Sequence, residues 1–132
     1  MTVDSDDPGS VVDRILNAVE HGDGAAVRAC YAADAKIWHN FDEVEQTVDE
    51  NIAMLEALVG VLTERKYTLR ERFDLPDGIG QHHYLDGVLP DGSKYHLPAC
   101  MLFKIADGRI TRIDEYFDSA HFAPLLAFLP ES

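Results

Sequence analysis

Apolar residues near the N-terminus recur at spacings of three and four, the period of a helix that buries one face. Five residues carry this repeat: Val11, Val12, Ile15, Leu16 and Val19. The pattern predicts an amphipathic helix that begins at Ser10. The segment His21-Gly22-Asp23 ends it, because glycine is favoured just past a helix C-terminus. Residues 1–9 are predicted to be a disordered acidic tail.

Two further helices are predicted in the first half of the chain. Asp23 is a good N-cap for a short helix over 25–31. Thr47-x-x-Glu50 has the spacing of a capping box and opens a third helix. That helix carries its apolar residues on one face: Ile52, Leu55, Leu58, Val59 and Leu62. Residues 35–39, between the second and third helices, read as a short strand.

The pattern changes from helix to strand after residue 64. Turn signals occur at Pro76-Asp-Gly78, Pro90-Asp-Gly92 and Asp107-Gly108, and they separate four segments with strand character. The predicted strands are 66–74, 80–89, 93–105 and 109–118. Because the turns are tight, the strands form an antiparallel meander, and the apolar tail 122–129 must pack against it. Helices followed by a meander predict an α+β fold, with three N-terminal helices packed on a curved, mostly antiparallel sheet.

Alternation along the last two strands sorts their side chains into faces. In the third meander strand one face is apolar: Tyr95, Leu97, Ala99, Met101, Phe103 and Ile105. In the last strand Glu115 lies between Ile113 and Phe117 on the face more suited to burial. Such a carboxyl has two interpretations. It either forms a structural ion pair with Arg72 or His82, or it is a partly desolvated general acid or base with a raised pKa.

The second meander strand places His82, Tyr84 and Asp86 on one face, and Gln81, His83, Leu85 and Leu89 on the other. His82 and Tyr84 offer hydrogen-bonding groups, either to a ligand or to solvent. Rings of adjacent histidines on a strand point apart, so no metal site is predicted. The facing of this strand depends on the register of the turn at Pro90, since a slip of one residue exchanges the faces.

Trp38, His39 and Asn40 follow one another at the end of the first predicted strand. They are either a core tryptophan with two polar loop residues, or an aromatic wall beside hydrogen-bonding groups at a pocket mouth. The chain has no nucleophile elbow and no glycine-rich phosphate loop after a strand. We therefore expect no cofactor.

Composition narrows the classes of partner. The chain has 132 residues, 46% of them hydrophobic, which suits one domain over 10–132. Its 11 Lys and Arg against 24 Asp and Glu give a net charge of -13. This balance argues against nucleic acids and anionic membranes as partners. Cys30 and Cys100 have no disulfide or zinc spacing, so we expect a cytoplasmic protein.

Three stretches together resemble the nuclear transport factor 2-like superfamily, which includes SnoaL-like polyketide cyclases, ketosteroid isomerases and limonene-epoxide hydrolases. They are residues 31–40, 89–97 and 107–118, and the resemblance extends over about 11–126. It implies a cone-shaped, cystatin-like fold and a single SnoaL-like domain. Because folds of this kind often dimerise through the open sheet, we also expect a homodimer.

The resemblance assigns roles position by position. The catalytic aspartate of the cyclases and epoxide hydrolases, on the last strand, falls on Glu115, which keeps the carboxyl group. The arginine and aspartate of the epoxide hydrolases fall on His82 and Tyr84, and their tyrosine and asparagine fall on Trp38 and Asn40. That set is therefore incomplete here.

The isomerase set is incomplete too. Its tyrosine and two aspartates fall on Ile15, His39 and Met101, so the oxyanion donors are missing. What remains resembles the looser SnoaL-like group, which implies a pocket with several polar residues around an apolar lining.

The resulting hypothesis is a cofactor-independent cyclase, isomerase or lyase that acts on a small hydrophobic carbonyl compound. Its predicted catalytic residues are Glu115, His82, Tyr84 and His39, and its predicted ligand contacts are Trp38, Asn40, Leu97, Ala99, Met101 and Phe117. Two alternatives stay open. One is a non-catalytic binding or dimerisation module of the same fold, and the other is water activation in the manner of an epoxide hydrolase.

Overall fold

The computed structural model describes residues 7–130, and its elements follow the predicted order. The helices are α1 (Pro8–Glu20), α2 (Gly24–Cys30), α3 (Val48–Val61) and α4 (Ser119–Leu126). The strands are β1 (Tyr31–His39), β2 (Glu45–Gln46), β3 (Thr63–Leu75), β4 (Gly78–Val88), β5 (Lys94–Ala106) and β6 (Arg109–Phe117). The α+β class and the antiparallel meander β3–β6 are confirmed.

The six strands form one sheet in the order β2-β1-β6-β5-β4-β3. All neighbouring pairs are antiparallel except β1 and β6, which run parallel. This parallel pair brings the end of β1 beside the end of β6. The two-residue strand β2 was not predicted, because so short a segment carries no alternation.

Local side-chain hydrogen bonds set the starts of the helices. Asp7 caps α1 through a bond from the Ser10 amide, and proline occupies the first turn. The helix therefore begins at Pro8, so residues 8 and 9 are helical and not part of a tail; residues 1–6 lie outside the described residues. The predicted capping box of α3 is confirmed by reciprocal bonds between Thr47 and Glu50.

One face of the sheet is covered, and the apolar core divides into two adjoining clusters there. The larger lies under α1, α2 and α3, and the smaller lies around the C-terminal half of α3 and α4. The predicted inward face of β5 is confirmed from Tyr95 to Phe103. Ile105 is only partly buried, because the register shifts after Lys104. The predicted apolar tail packs into the smaller cluster through Phe122 and Leu125.

Candidate functional site

A histidine and a glutamate meet on the covered face where β1 and β6 run side by side. His39 is the register partner of Glu115. The His39 Nε2 atom lies 3.1 Å from Glu115 Oε1, and the two side chains keep 5% and 16% of their exposure. This geometry makes a mostly buried acid–imidazole pair at one end of the sheet.

The pair alters the titration of both groups. Burial alone raises the pKa of Glu115, but the hydrogen bond and charge of His39 bring that pKa below its ordinary value. Burial alone lowers the pKa of His39, and the hydrogen bond and charge of Glu115 raise it overall. Of the two interpretations of Glu115, the paired carboxyl agrees with this lowered pKa and the raised pKa does not; the partner is His39 in place of Arg72 or His82.

Two small cavities meet at this pair. One has a volume of about 50 Å³ and extends under α1, and the other has about 60 Å³ and extends toward α4. Five residues line both cavities: His39, Glu115, Tyr67, Met54 and Leu55. Their other walls are mainly apolar. Pockets for drug-sized ligands have volumes of roughly 300–1,000 Å³. Only a small molecule therefore fits here without movement of the flexible Met54 and Leu55 side chains.

Three of the predicted ligand contacts line these cavities. Met101 lines the cavity under α1, and Leu97 and Phe117 line the one near α4. Ala99 lies between them on the same face and is buried. The apolar half of the predicted pocket is therefore assembled around the carboxylate.

His82 and Tyr84 are not near the carboxylate. The buried side chains of β4 are Gln81, His83 and Leu85, so His82 and Tyr84 lie on the opposite face of the sheet. There the His82 ring meets Phe73 edge-on, with centroids 6.3 Å apart, and Tyr84 stacks on His96 at 4.9 Å. The prediction that His82 and Tyr84 converge with Glu115 is wrong.

Trp38 and Asn40 also lie away from the cavity walls. Trp38 pairs in register with Asp114 and packs edge-on against Tyr116, 5.3 Å between centroids, on the outer face. The Asn40 side chain donates to the Phe117 carbonyl and accepts from the Phe117 amide, both at 3.1 Å. The Asn40 side chain thus continues the hydrogen bonding between β1 and β6 past the end of β1. Trp38 and Asn40 therefore do not form the predicted aromatic wall and hydrogen-bonding groups at a pocket mouth.

Two further polar groups on the covered face were missed. His83 is 2% exposed and its ring meets Tyr67 edge-on, with centroids 5.3 Å apart. Gln81 is fully buried and joins His83 to Arg72 through hydrogen bonds. The alternation along β4 could have identified them. Leu85 and Leu89 share the face of Gln81 and His83, and that apolar pair indicates the buried face.

Tyr95 carries a buried hydroxyl that has no hydrogen-bond partner among the described residues. A buried polar group without a partner costs free energy, which replacement by an apolar isostere removes. We therefore expect Tyr95→Phe to raise the free energy of unfolding by about 1 kcal/mol, measured by urea denaturation. A loss of stability would mean that the hydroxyl is satisfied in solution. Phe103→Tyr, which adds a hydroxyl at a fully buried site, is the opposite control and should destabilise.

No group of three or more His, Cys, Asp or Glu side chains within residues 7–130 is arranged to hold a metal ion. In the same part of the chain, no helix has the length and apolarity needed to cross a bilayer.

Solved structures share this fold at low sequence identity. A protein of Catenulispora acidiphila with a ketosteroid isomerase-like fold, solved in complex with trimethylamine, has a TM-score of 0.76 at 15% identity, and the match covers 91% of this chain and 93% of that protein. IdmH of Streptomyces antibioticus, a candidate polyketide cyclase, has a TM-score of 0.80 at 14% identity, covering 92% and 99%. An LEH-like epoxide hydrolase of M. tuberculosis has a TM-score of 0.72 at 20% identity, covering 89% and 88%.

These similarities establish the nuclear transport factor 2-like fold, which hosts several chemistries. No curated protein matches the sequence. The SnoaL-like domain family matches residues 12–113, which include α2, α3, most of the sheet and His39. The chain therefore belongs to the SnoaL-like domain family.

Proposed function

We propose that this protein is a cofactor-independent enzyme that moves a proton at the carbon next to a carbonyl group in a small apolar substrate. The observation that carries the proposal is the mostly buried Glu115 carboxylate, held by His39 at the junction of two apolar cavities. A positioned carboxylate in such surroundings suits general base catalysis.

The reaction begins with transfer of the α-proton to a Glu115 carboxylate oxygen. The electron pair of the broken C–H bond forms the enolate, whose negative charge lies mainly on the oxygen. In an isomerase the proton returns to a different carbon. In an aldol-type cyclase the enolate carbon attacks a second carbonyl of the same molecule, and the new alkoxide takes the proton from Glu115. Both reactions balance in atoms and electrons without an oxidant, a reductant or a cofactor.

His39 has two effects on this chemistry. It keeps Glu115 ionised despite burial, so the base needs no prior deprotonation. It also makes Glu115 a weaker base, because the same interaction lowers the carboxyl pKa. A weak base requires an acidic carbon, so we favour substrates whose enolate is stabilised, such as 1,3-dicarbonyl compounds, or whose carbonyl oxygen receives a hydrogen bond in the site.

Family membership supports the same class of reaction. The structural relatives include a candidate cyclase and an epoxide hydrolase, and a further neighbour is a candidate isomerase from Bacillus subtilis. These proteins share the fold of this chain, and a fold by itself does not determine the reaction. In this chain the polar residues that line the two cavities are Glu115, His39, Tyr31, Asn51 and Tyr67.

The proposed function is tested with a panel of small apolar ketones and 1,3-diketones incubated with the protein in D₂O. We expect at least one compound to bind and to gain deuterium at the α-carbon, detected by proton NMR, faster than in buffer. A compound that stabilises the fold but emerges without deuterium would indicate the alternative, a non-catalytic binding protein. Solvent ¹⁸O in a product would indicate hydrolysis instead.

We also propose that the protein is a cytoplasmic homodimer that pairs through the outer face of the sheet. Several large side chains on that face are exposed or only partly buried: Trp38, Phe73, Pro98, Leu102 and Tyr116. Contiguous apolar surface of this kind is typical of protein interfaces. We expect a dimer at micromolar concentration in sedimentation and a monomer for Tyr116→Asp. Val44→Asp, an exposed residue before β2, is the control that should stay dimeric; a wild-type monomer would contradict the proposal.

A further inference from the structure

A chain of hydrogen bonds, called the relay below, connects the surface of α1 with His83 on the covered face of the sheet. The Asp13 carboxylate accepts from an Arg72 terminal nitrogen at 2.7 Å. The Arg72 Nε atom donates to Gln81 Oε1 at 2.9 Å, and Gln81 Nε2 lies 2.9 Å from His83 Nδ1. Gln81 and His83 are 0% and 2% exposed, so the inner half of this relay is shielded from water.

The relay determines the protonation of His83. A guanidinium group only donates hydrogen bonds, so the atom of Gln81 that faces Arg72 must be the amide oxygen. The other amide atom, facing His83, is therefore the NH₂ group, which also only donates. His83 Nδ1 must accept this bond and carries no proton. The ring is neutral, as its burial also favours, and its proton resides on Nε2.

The Nε2 atom of His83 is buried and has no hydrogen-bond partner among the described residues. Buried polar groups in folded proteins are nearly always paired, so such a donor indicates an acceptor that the chain itself does not supply. The ring packs on Tyr67, which lines both cavities beside Glu115. His83 itself lines neither cavity, but its register partner Ala99 pairs in turn with Phe117, a wall of the cavity near α4. The unpaired donor therefore lies behind that wall, close to the proposed base.

We propose that the His83 Nε2–H group donates a hydrogen bond to an oxygen of the bound ligand, and that Asp13, Arg72 and Gln81 are positioning residues that hold His83 as this neutral donor. The inference rests on the proposed function for the identity of that oxygen, the substrate carbonyl. It adds that the site selects ligands with a hydrogen-bond acceptor. In the reaction the same bond strengthens as negative charge develops on the oxygen of the enolate.

The protonation of His83 is measurable without any ligand. In ¹⁵N-histidine-labelled protein at pH 7, long-range ¹H–¹⁵N correlation spectra should show His83 neutral with its proton on Nε2. A Gln81→Glu variant reverses the requirement at Nδ1, because a carboxylate accepts, so Nδ1 should become protonated. A wild-type His83 that is cationic, or that carries its proton on Nδ1, would overturn the inference even if the variant failed to fold.

The ligand contact is tested with cyclopentanone and its hydrocarbon isostere methylenecyclopentane, with affinities measured by NMR titration. His83→Phe should weaken cyclopentanone binding about tenfold, the loss of one neutral hydrogen bond, and leave the isostere nearly unaffected. His82→Phe, the neighbouring histidine on the opposite face, is the matched control and should change neither affinity. A wild-type protein that binds the ketone no better than the isostere would contradict the assignment of an acceptor.

This binding comparison separates the inference from the proposed function. It is repeated with Glu115→Gln, in which no proton abstraction by that residue is possible. If the ketone preference persists there and no turnover is found with any panel compound, the His83 contact stands and the enzymatic proposal fails. If turnover is found but the preference is absent in every variant, the His83 contact fails alone.

Discussion

Replacing Glu115 with glutamine is expected to slow deuterium exchange at the substrate α-carbon by about 10²–10⁴-fold, the usual contribution of a general base. The amide has nearly the same shape as the carboxylate, so the apolar cavity walls and the ligand affinity should change little. The measurement is the initial exchange rate in D₂O at saturating ligand, together with the dissociation constant from NMR titration. A fall in rate without a fall in affinity identifies a group that acts in the transition state.

Two controls refine this prediction. Glu115→Asp keeps the carboxyl group and withdraws it by one methylene, so part of the activity should remain. Asp114→Asn removes the neighbouring acid on the outer face, where Asp114 is held by Arg112, and the exchange rate should be unaffected. An exchange rate in Glu115→Gln equal to that of the wild type would exclude Glu115 as the base.

Replacing His39 with leucine is expected to lower the free energy of unfolding by about 3–5 kcal/mol at pH 6.5, the usual cost of leaving one partner of a buried ion pair alone. Glu115 would keep its burial and lose the group that lowers its pKa, so that pKa rises above its ordinary 4.5. The carboxyl then becomes neutral in the folded variant as the pH falls through this raised value. The loss of stability should therefore be smaller at pH 5 than at pH 6.5, measured by urea denaturation.

In the wild type each partner contributes over its own pH range. The pKa of Glu115 is lowered on folding, so its contribution is present above about pH 4.5 and is lost as the pH falls through the folded pKa. The pKa of His39 is raised, so its contribution is complete below about pH 6.5 and is lost as the pH rises through the folded pKa. The pair therefore stabilises the wild type most between these two values.

His39→Gln is the matched control for the stability measurement. Glutamine can donate a neutral hydrogen bond to the carboxylate, so it should lose less stability than leucine. An equal loss for leucine at pH 5 and pH 6.5 would show that packing of the imidazole, and not the charge of Glu115, accounts for the destabilisation.

Much of the fold could be predicted because its signals are local. The capping box at Thr47, the turn signals after β3, β4 and β5, and the alternation of β5 each specify a short segment, and neighbouring segments agree. Glu115 was found in the same way, since it interrupts an apolar face between Ile113 and Phe117. The apolar residues of β5 and β6 that surround Glu115 were predicted from the alternation along these two strands.

The polar partners of Glu115 were harder to predict, because they depend on distant strands. The pairing of His39 with Glu115 requires β1 to run parallel to β6, and no turn in the sequence specifies that neighbour. Along β4 a shift of one residue exchanges the faces of His82 and His83. The prediction placed His82 on the covered face, which is occupied by His83. Asn40 was predicted to be a ligand contact because the sequence shows only an asparagine at the end of a strand. An asparagine that hydrogen-bonds the neighbouring strand and one that binds a substrate look the same there.

The most direct test of the account is the ionisation of Glu115, measured by the ¹³C shift of its side-chain carboxyl as a function of pH in the ligand-free protein. The signal is assigned by its disappearance in Glu115→Gln. We expect an apparent pKa below the ordinary 4.5, with His39 titrating above its ordinary 6.5. A Glu115 carboxyl that stays protonated at pH 7 would contradict the ionised pair and, with it, the role of Glu115 as a base.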